Sequence, residues 1–395
     1  MDRSELVDLL TPEGFRLLDS LPAWDAKTDV VRLVSGLRAQ GHPAGLVASV
    51  LSQSRLRAKA EGKFGEFASR MLFTDDGLEQ ATRLSVAALH AGRYSAAGIT
   101  RVADLGCGIG GDALAMSALE LEVTAADADE VTAAIASYNL APFPTASVLN
   151  ARAEDVDLAD VGGVYLDPAR RTAGHSETER LTHAGDYSPS LDFAFGLGER
   201  MPTGVKLGPG FDRSLIPADA EAQWVSVDGQ LVEMGLWFGA LARPGIRRSA
   251  LLLGRAGTAE LSADADSPDV EVRALGEYLY EPDGAVIRAR LIGDLAREID
   301  AGMLSESIAY LTSDVARETP FATAFRVLDV LPTDEKKLKA ALRERGVGTL
   351  EIKKRGIDVD PAQLRKRLQL KGSASATIVL ARQAGRHVTL LVERV

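Results

Sequence analysis

The chain has 395 residues, 46% of them hydrophobic and 26% charged, the balance of a globular protein large enough for more than one core. It contains no apolar run of 18 residues, and its start, MDRSELVDLL, lacks the basic, apolar and small-residue zones of a signal peptide. Neither a membrane span nor export is expected, and the cytoplasm is the expected compartment. The single cysteine, Cys107, excludes an intrachain disulfide and a cysteine-held metal cluster, and five histidines without HExxH spacing give no reason to expect a metal. Of the net charge of −11, residues 334–395 hold 15 Lys+Arg against 7 Asp+Glu, a local +8 that leaves −19 on the rest. Such a chain does not coat nucleic acid uniformly, but its basic tail suits a local grip.

Residues 1–95 read as a helical domain. Val30, Val31, Leu33, Val34 and Leu37 recur at helical spacing, as do Leu78, Ala81, Leu84, Ala88 and Leu89, with Thr74 placed to start the second run. Between them SRLRAKAEGKFG carries Arg55, Arg57, Lys59 and Lys63, either a solvated helix face or a small basic site. Residues 96–255 read as an α/β domain with a Rossmann-like, seven-stranded, doubly wound sheet. RVADLG, LEVTAAD, ASVLNA, GVYLD and GVKLG are predicted strands, with GDALAMSALE and DEVTAAIASYNL as helices between the early ones. AEAQWVSV and RRSALLL complete the sheet, and LVEMGLWFGAL between them reads as a helix. GRAGTAELSADADSPD, at about 254–269, reads as a linker. Residues 268–395 read as a small basic α+β domain. AFRVLDV, GTLEIKKRG, SATIVLAR and RHVTLLVER are its strands, and TDEKKLKAALRERG and DPAQLRKRLQLKG its helices. Thr333 or Asp334 starts the first helix, and Asp360 with Pro361 the second.

Two runs carry chemistry. In RVADLGCGIGGD a strand ends at Asp104, a turn of Gly106, Cys107, Gly108 and Gly110 follows, and a helix begins. The glycines let backbone approach a ligand where a side chain would collide, and the helix start offers N–H groups. Gly111 also completes G-x-G-x-x-G, the dinucleotide fingerprint. A carboxylate at Asp104, however, suits the cationic aminoacyl end of S-adenosylmethionine and poorly serves a pyrophosphate. Asp127, about twenty residues on at the end of the second strand, is placed to accept ribose hydroxyls, with Ala128 beside it and Asp129 as the fallback. Ala153 and Glu154, after the third strand, are placed to meet the adenine edge.

The second run, VYLDPARRT, puts Asp167 and Pro168 at the carboxyl end of the fourth strand, where doubly wound sheets bind ligands. It resembles the D/N-P-P-aromatic motif of methyltransferases that act on nucleobase nitrogen. In that family the acid or amide and the adjacent carbonyl hold an amino group and aim its lone pair at the sulfonium methyl, so positioning supplies much of the rate. Asp167, which belongs to cofactor and acceptor alike, is therefore the candidate catalytic residue with Pro168 and Arg170. Ala169 replaces the second proline and Arg170 the aromatic that would stack on a flipped base. A guanidinium can stack on a base or pair with a phosphate; Arg171 is a further substrate candidate, and Tyr187 in DYSPS is an alternative source of the ring. The only cysteine lies in the glycine loop, so covalent addition to a pyrimidine C5 is excluded. Direct transfer to nitrogen, less readily to oxygen, remains.

Together with FTDDGLEQAT before the sheet, DYSPSLD, VKLGPG and the tail KKRGIDVDPAQLRKRLQLKG, these motifs resemble a bacterial family of class I methyltransferases with a C-terminal THUMP-like domain. More distantly the chain is similar to RNA methyltransferases of the trimethylguanosine-synthase type. The resemblance implies S-adenosyl-L-methionine as cofactor and an RNA partner, tRNA or rRNA. On that reading Lys353, Lys354 and Arg355, with Arg365, Lys366 and Arg367 on the next helix, are the candidate RNA grip. Two alternatives stay open at the level of sequence: a small-molecule or protein methyltransferase whose tail serves assembly, and a non-catalytic RNA-binding protein with a vestigial cofactor fold. Nothing in the sequence specifies an oligomeric state.

Overall fold

The computed structural model describes residues 3–25, 28–170, 187–255 and 257–395. The chain divides into two compact units, one of Met1–Leu207 with Trp237–Ala242, the other of Gly208–Leu236 with Arg243–Val395.

The first unit opens with helices α1 (Arg3–Leu9), α2 (Pro12–Ser20), α3 (Val30–Ala39), α4 (Ala44–Phe64), α5 (Asp75–Gln80) and α6 (Leu84–Ala96). The run from Val30 is one helix, although only its Leu37 is buried. The run from Leu78 is two helices. Thr74 Oγ1 accepts the Gly77 N–H at 2.9 Å and starts α5, which stops at Gln80 before α6 begins at Leu84. The basic stretch on α4 is mostly internal fastening. Arg55 pairs with Asp75 at 2.9 Å, Arg57 donates to the Met71 carbonyl at 3.0 Å, and Lys63 donates to the carbonyls of Leu78, Glu79 and Ala81 at 2.8, 2.6 and 2.7 Å.

Beyond α6 the chain alternates through β1 (Arg101–Leu105), α7 (Gly111–Ala118), β2 (Glu122–Asp127), α8 (Glu130–Leu140), β3 (Ala146–Asn150) and β4 (Gly163–Leu166). Two short strands follow, β5 (Ala169–Arg170) and β6 (Tyr187–Ser188), then α9 (Leu191–Gly198) and β7 (Thr203–Leu207). β1 pairs in parallel with β2 and β4, β2 with β3, and β4 with β7. The resulting order β7-β4-β1-β2-β3 reverses direction beside β1, so a crevice opens beyond the carboxyl ends of β1 and β4. One core joins the helical region to this sheet, with Leu56, Phe64 and Phe73 packed in the same cluster as Leu114, Ile135 and Tyr165.

The second unit contributes β8 (Glu221–Val227), most of β9 (Gln230–Phe238, whose last two residues lie in the first unit), β10 (Arg248–Gly254) and β11 (Gly257–Ala263). The sheet therefore has nine strands, in the order β11-β10-β8-β9-β7-β4-β1-β2-β3, where seven were expected. Two segments account for the difference. LVEMGLWFGAL is a strand and not a helix, buried from Glu233 to Phe238 on successive residues. Burial on both faces erases the alternation that would have marked it. The expected linker contains β11, an antiparallel partner of β10 with no fully buried residue. It is polar because it lies at the sheet edge.

A second sheet follows. Its elements are β12 (Tyr278–Pro282), α10 (Gly284–Arg288), α11 (Ile292–Glu298), β13 (Gly302–Ser305), β14 (Ile308–Ser313), β15 (Ala322–Leu331), α12 (Glu335–Glu344), β16 (Val347–Lys354), α13 (Pro361–Leu368), β17 (Ala374–Gln383) and β18 (Arg386–Arg394). The order is β13-β14-β12-β15-β18-β17-β16, and β16 and β17 are parallel with α13 as their crossover. The expected caps form: Asp334 accepts the Lys337 N–H at 3.0 Å, and Asp360 those of Ala362 and Gln363 at 2.7 and 3.2 Å, with Pro361 opening α13. Leu338, Leu342, Leu364 and Leu368 of the two helices share a core with Leu350 and Ile378.

Candidate active site

The glycine turn follows β1 as expected. Gly106, Gly108 and Gly110 hold φ values of 88°, 56° and 83°, the left-handed region that disfavours any other residue. The Gly106 and Cys107 N–H groups both donate to the Ala126 carbonyl, at 2.8 and 3.0 Å, which bends the loop over the end of β2. Around Gly108 a Cβ would meet nothing within 4 Å, so the loop's middle faces open space. At Gly106 a Cβ would lie 3.7 Å from the Asp167 carbonyl oxygen and 3.8 Å from Pro189 Cδ. Three separate sequence motifs therefore converge at one point: DLGCGIGGD, LDPAR and YSPS.

Asp104 is fully buried, and neither of its carboxylate oxygens has a hydrogen-bond partner among the described residues. Burial first, then the charges of Asp112 and Asp167, push its carboxyl well above the ordinary range. An orphaned buried carboxylate beside a glycine cradle is a site short of a cation. The ammonium of S-adenosylmethionine's aminoacyl end is such a cation, so the residues present fit that cofactor. Cys107 is 8% exposed, and burial with the nearby Asp104 and Asp127 pushes its thiol up, the reverse of an activated nucleophile.

Asp127, half-buried at the end of β2, accepts the N–H of Gly108 at 3.1 Å on Oδ2 and that of Asp129 at 2.9 Å on Oδ1. Burial outweighs these bonds and raises its carboxyl. Asp129 caps α8, accepting the N–H and hydroxyl of Thr132, both at 2.8 Å. The carbonyl of the exposed Ala128 accepts from Asn150 Nδ2 at 3.2 Å. Ala153 is buried after β3, and Glu154 beside it pairs with Arg152 at 3.4 Å.

Beyond β4, Pro168 is buried and Asp167 half-buried. β5 and β6 pair Ala169 with Ser188 and Arg170 with Tyr187, so the chain brings the DPAR and YSPS segments side by side. Tyr187 is 6% exposed. Arg171 lies outside the described residues. One residue that the sequence reading passed over enters here. Lys206 of β7 donates to Asp167 Oδ2 at 2.5 Å and to Thr82 Oγ1 at 3.1 Å. A charged residue inside a buried strand, in GVKLG, was the available signal.

In the second unit Lys353 pairs with Glu281 at 2.6 Å and lies 5.5 Å from the Phe325 ring centre. Arg355 is 3.9 Å from the same Glu281 and 5.5 Å from the Tyr310 ring centre. Lys354, Arg365, Lys366 and Arg367 are exposed, and Arg367 pairs with Glu335 at 3.0 Å. Among the described residues no group of three or more His, Cys, Asp or Glu is placed to hold a metal ion. None of the described helices is long and apolar enough to cross a membrane.

The parallel sheet reversing beside β1, the glycine cradle and the cation-seeking carboxylate define a class I S-adenosylmethionine-dependent methyltransferase. Similarity to known proteins agrees. Two Mycobacterium tuberculosis proteins, the uncharacterised S-adenosylmethionine-dependent methyltransferases Rv3037c (strain H37Rv) and MT3122 (strain CDC 1551), are each 35% identical over 357 residues, 86% of this chain and 94% of theirs. The chain belongs to that family of S-adenosylmethionine-dependent methyltransferases. Its residues 322–394 match the THUMP domain-like family, and residues 2–60 match a domain of unknown function (DUF8688). The crystal structure of a candidate methyltransferase from Porphyromonas gingivalis W83 shares the fold, with a TM-score of 0.73 at 20% identity over 100% of this chain and 99% of that one.

Proposed function

We propose that this methyltransferase acts on a nucleobase nitrogen of RNA, tRNA or rRNA, with Asp167 facing the acceptor. The observation that carries this reading is the meeting of Asp167 with the first glycine of the cofactor loop, its carbonyl 3.7 Å from where a Gly106 Cβ would stand. A carboxylate and a carbonyl at that spot are two acceptors for one amino group. S-adenosylmethionine, when bound, supplies an electrophilic methyl on a sulfonium sulfur. Asp167 and its carbonyl hold the acceptor so that the nitrogen lone pair forms the new C–N bond. The C–S pair stays with sulfur and the nitrogen's surplus proton leaves to solvent. Asp104 takes the aminoacyl cation, Asp127 the ribose hydroxyls, and Ala153 with Glu154 the adenine edge. Arg170, Arg171 and Tyr187 are the candidates for contacts to the acceptor, and the basic tail grips phosphate.

A small-molecule or protein acceptor is the second reading, and one observation favours it: Lys353 and Arg355 are already engaged by Glu281. Nucleoside mass spectrometry of RNA from cells with and without the gene separates the two. One methylated nucleoside lost with the gene, restored by the wild type and not by Asp167→Ala, supports RNA; an unchanged nucleoside profile rejects it. Asp167→Ala should abolish turnover while cofactor affinity stays within a few fold, because the residue's main contact is with the acceptor and its part in holding the cofactor is the smaller one.

A further inference from the structure

Lys206 is 12% exposed on its side chain, and its ammonium reaches across two segments. Besides Asp167 Oδ2 at 2.5 Å and Thr82 Oγ1 at 3.1 Å, it approaches the Gln80 carbonyl at 3.4 Å. The Thr82 hydroxyl in turn donates to Asp112 Oδ2 at 2.7 Å. Asp112 Oδ1 lies 2.9 Å from His90 Nδ1, and the Tyr165 hydroxyl lies 3.1 Å from the same nitrogen. A continuous polar line thus runs from the acceptor side of the site, behind the glycine loop, to a buried His–Asp pair. Burial alone would raise the Asp112 carboxyl, yet the bond and charge of His90, with Lys206 and Thr82, hold it below the ordinary range.

The charges around Lys206 are unequal. Asp167 follows β4, Asp104 is the last residue but one of β1, Asp112 stands on α7, and a neighbouring cation, Lys63, comes from α4. Lys206 therefore sits among three carboxylates, two of which bear on the buried Asp104 by charge. A cation within hydrogen-bond distance favours the charged form of a carboxylate, and like charges oppose it. Its second anchor matters as much. Gln80, the last residue of α5, and Thr82 belong to the stretch that Lys63 clasps through the carbonyls of Leu78, Glu79 and Ala81, so the ammonium rests on fixed acceptors.

We propose that Lys206 is a positioning residue for methyl transfer: gripping Asp167 Oδ2 and anchored on Thr82, it fixes the Asp167 carboxylate, charged and in one orientation, at the mouth of the glycine loop. The inference rests on Asp167 as the acceptor-facing carboxylate. A salt bridge that served only the fold would lower the Asp167 midpoint by the same linkage, but it would leave kcat and its acid limb where they are.

The test uses the full chain and three variants. Lys206→Gln keeps a donor and loses the charge, Lys206→Arg keeps the charge, and Thr82→Val removes the anchor. The first readout needs no acceptor: the Asp167 carboxyl is titrated by carbon-13 NMR, its signal assigned with Asp167→Asn. Its midpoint should rise by about one to three pH units in Lys206→Gln and stay in place in Lys206→Arg. The second readout is RNA methylation against pH. In Lys206→Gln kcat at neutral pH should fall on the order of 100-fold, with its acid limb displaced upward like the midpoint. KM for RNA and affinity for S-adenosylmethionine should hold, and Lys206→Arg should restore the limb. Thr82→Val should lower kcat without moving the limb. An unmoved limb in Lys206→Gln overturns the proposal whatever the midpoint does, and full kcat in Thr82→Val overturns the anchoring. Should wild-type protein leave RNA unmodified while the Asp167 midpoint still moves, the RNA reading fails and only the grip of Lys206 on the Asp167 carboxylate stands.

Discussion

Asp104 is costly to the empty protein and, in the function proposed above, useful to the loaded one. Its carboxyl is raised by burial and by Asp112 and Asp167. A folded value above the unfolded one means that stability from this group is full below the ordinary carboxyl range and is lost as pH rises through the raised value. A bound cation reverses that preference, so cofactor binding should expel a proton. Calorimetry in two buffers of different ionisation enthalpy, repeated across pH, should report net proton release on S-adenosylmethionine binding. Asp104→Asn should abolish the release and weaken binding by at least about tenfold, the loss expected for a charged hydrogen bond. Equal apparent enthalpies in the two buffers with wild-type protein would remove Asp104 from the cofactor's cationic end.

Among elements, the stretch Met71–Phe73 ties the N-terminal helices to α8 and the glycine loop without strand pairing. Gln53 of α4 donates to the Phe73 carbonyl at 2.6 Å and accepts its N–H at 3.0 Å. Asn139 of α8 does the same for Leu72, at 3.0 and 2.7 Å, and also donates to the Ile109 carbonyl in the glycine loop at 2.9 Å. Asn139→Ala would leave buried backbone groups of Leu72 and Ile109 unpaired, a cost of at least about 2 kcal/mol. Urea unfolding should show it as a lower midpoint with an unchanged slope, and a midpoint equal to wild type would deny the amide its structural part. None of this was legible in the sequence, because a buried Asn in a helix reads like any polar position until its partners are known. The parallel strands were legible, since β1, β2, β3, β4 and β7 are short apolar runs separated by helices with recognisable starts. β9 was not, because its burial on both faces gives a run that spacing alone cannot tell from a helix. The motifs at Asp104 and Asp167 were readable from local pattern. Lys206 was hidden because its significance lies in partners 39 and 124 residues away.

For the whole molecule the open question is what the charge asymmetry between an acidic body and a basic tail is for. Part of the tail's positive charge is already paired: Arg345 with Asp329 and Arg367 with Glu335 at the surface, and the half-buried Lys353 with Glu281. Reversing Lys353 would set a new carboxylate against Glu281 and near Glu351, 3.9 Å away. Any loss of RNA binding in Lys353→Glu would then report a damaged domain. Arg55 and Arg57 make an equally poor control, because they hold Asp75 and the Met71 carbonyl. The cations suited to the test are Lys336 and Lys337 on α12, Lys354 at the end of β16 and Lys366 on α13, all exposed. If the tail grips RNA, changing these four to Glu should weaken binding and flatten its dependence on log salt by about 0.7 for each phosphate no longer neutralised. Affinity for S-adenosylmethionine and the unfolding midpoint should not change, whereas Lys353→Glu should lower the midpoint. RNA affinity and salt slope that survive the fourfold reversal would show that the outward charge of this domain does not hold RNA. The second reading of the acceptor would then gain what the first loses.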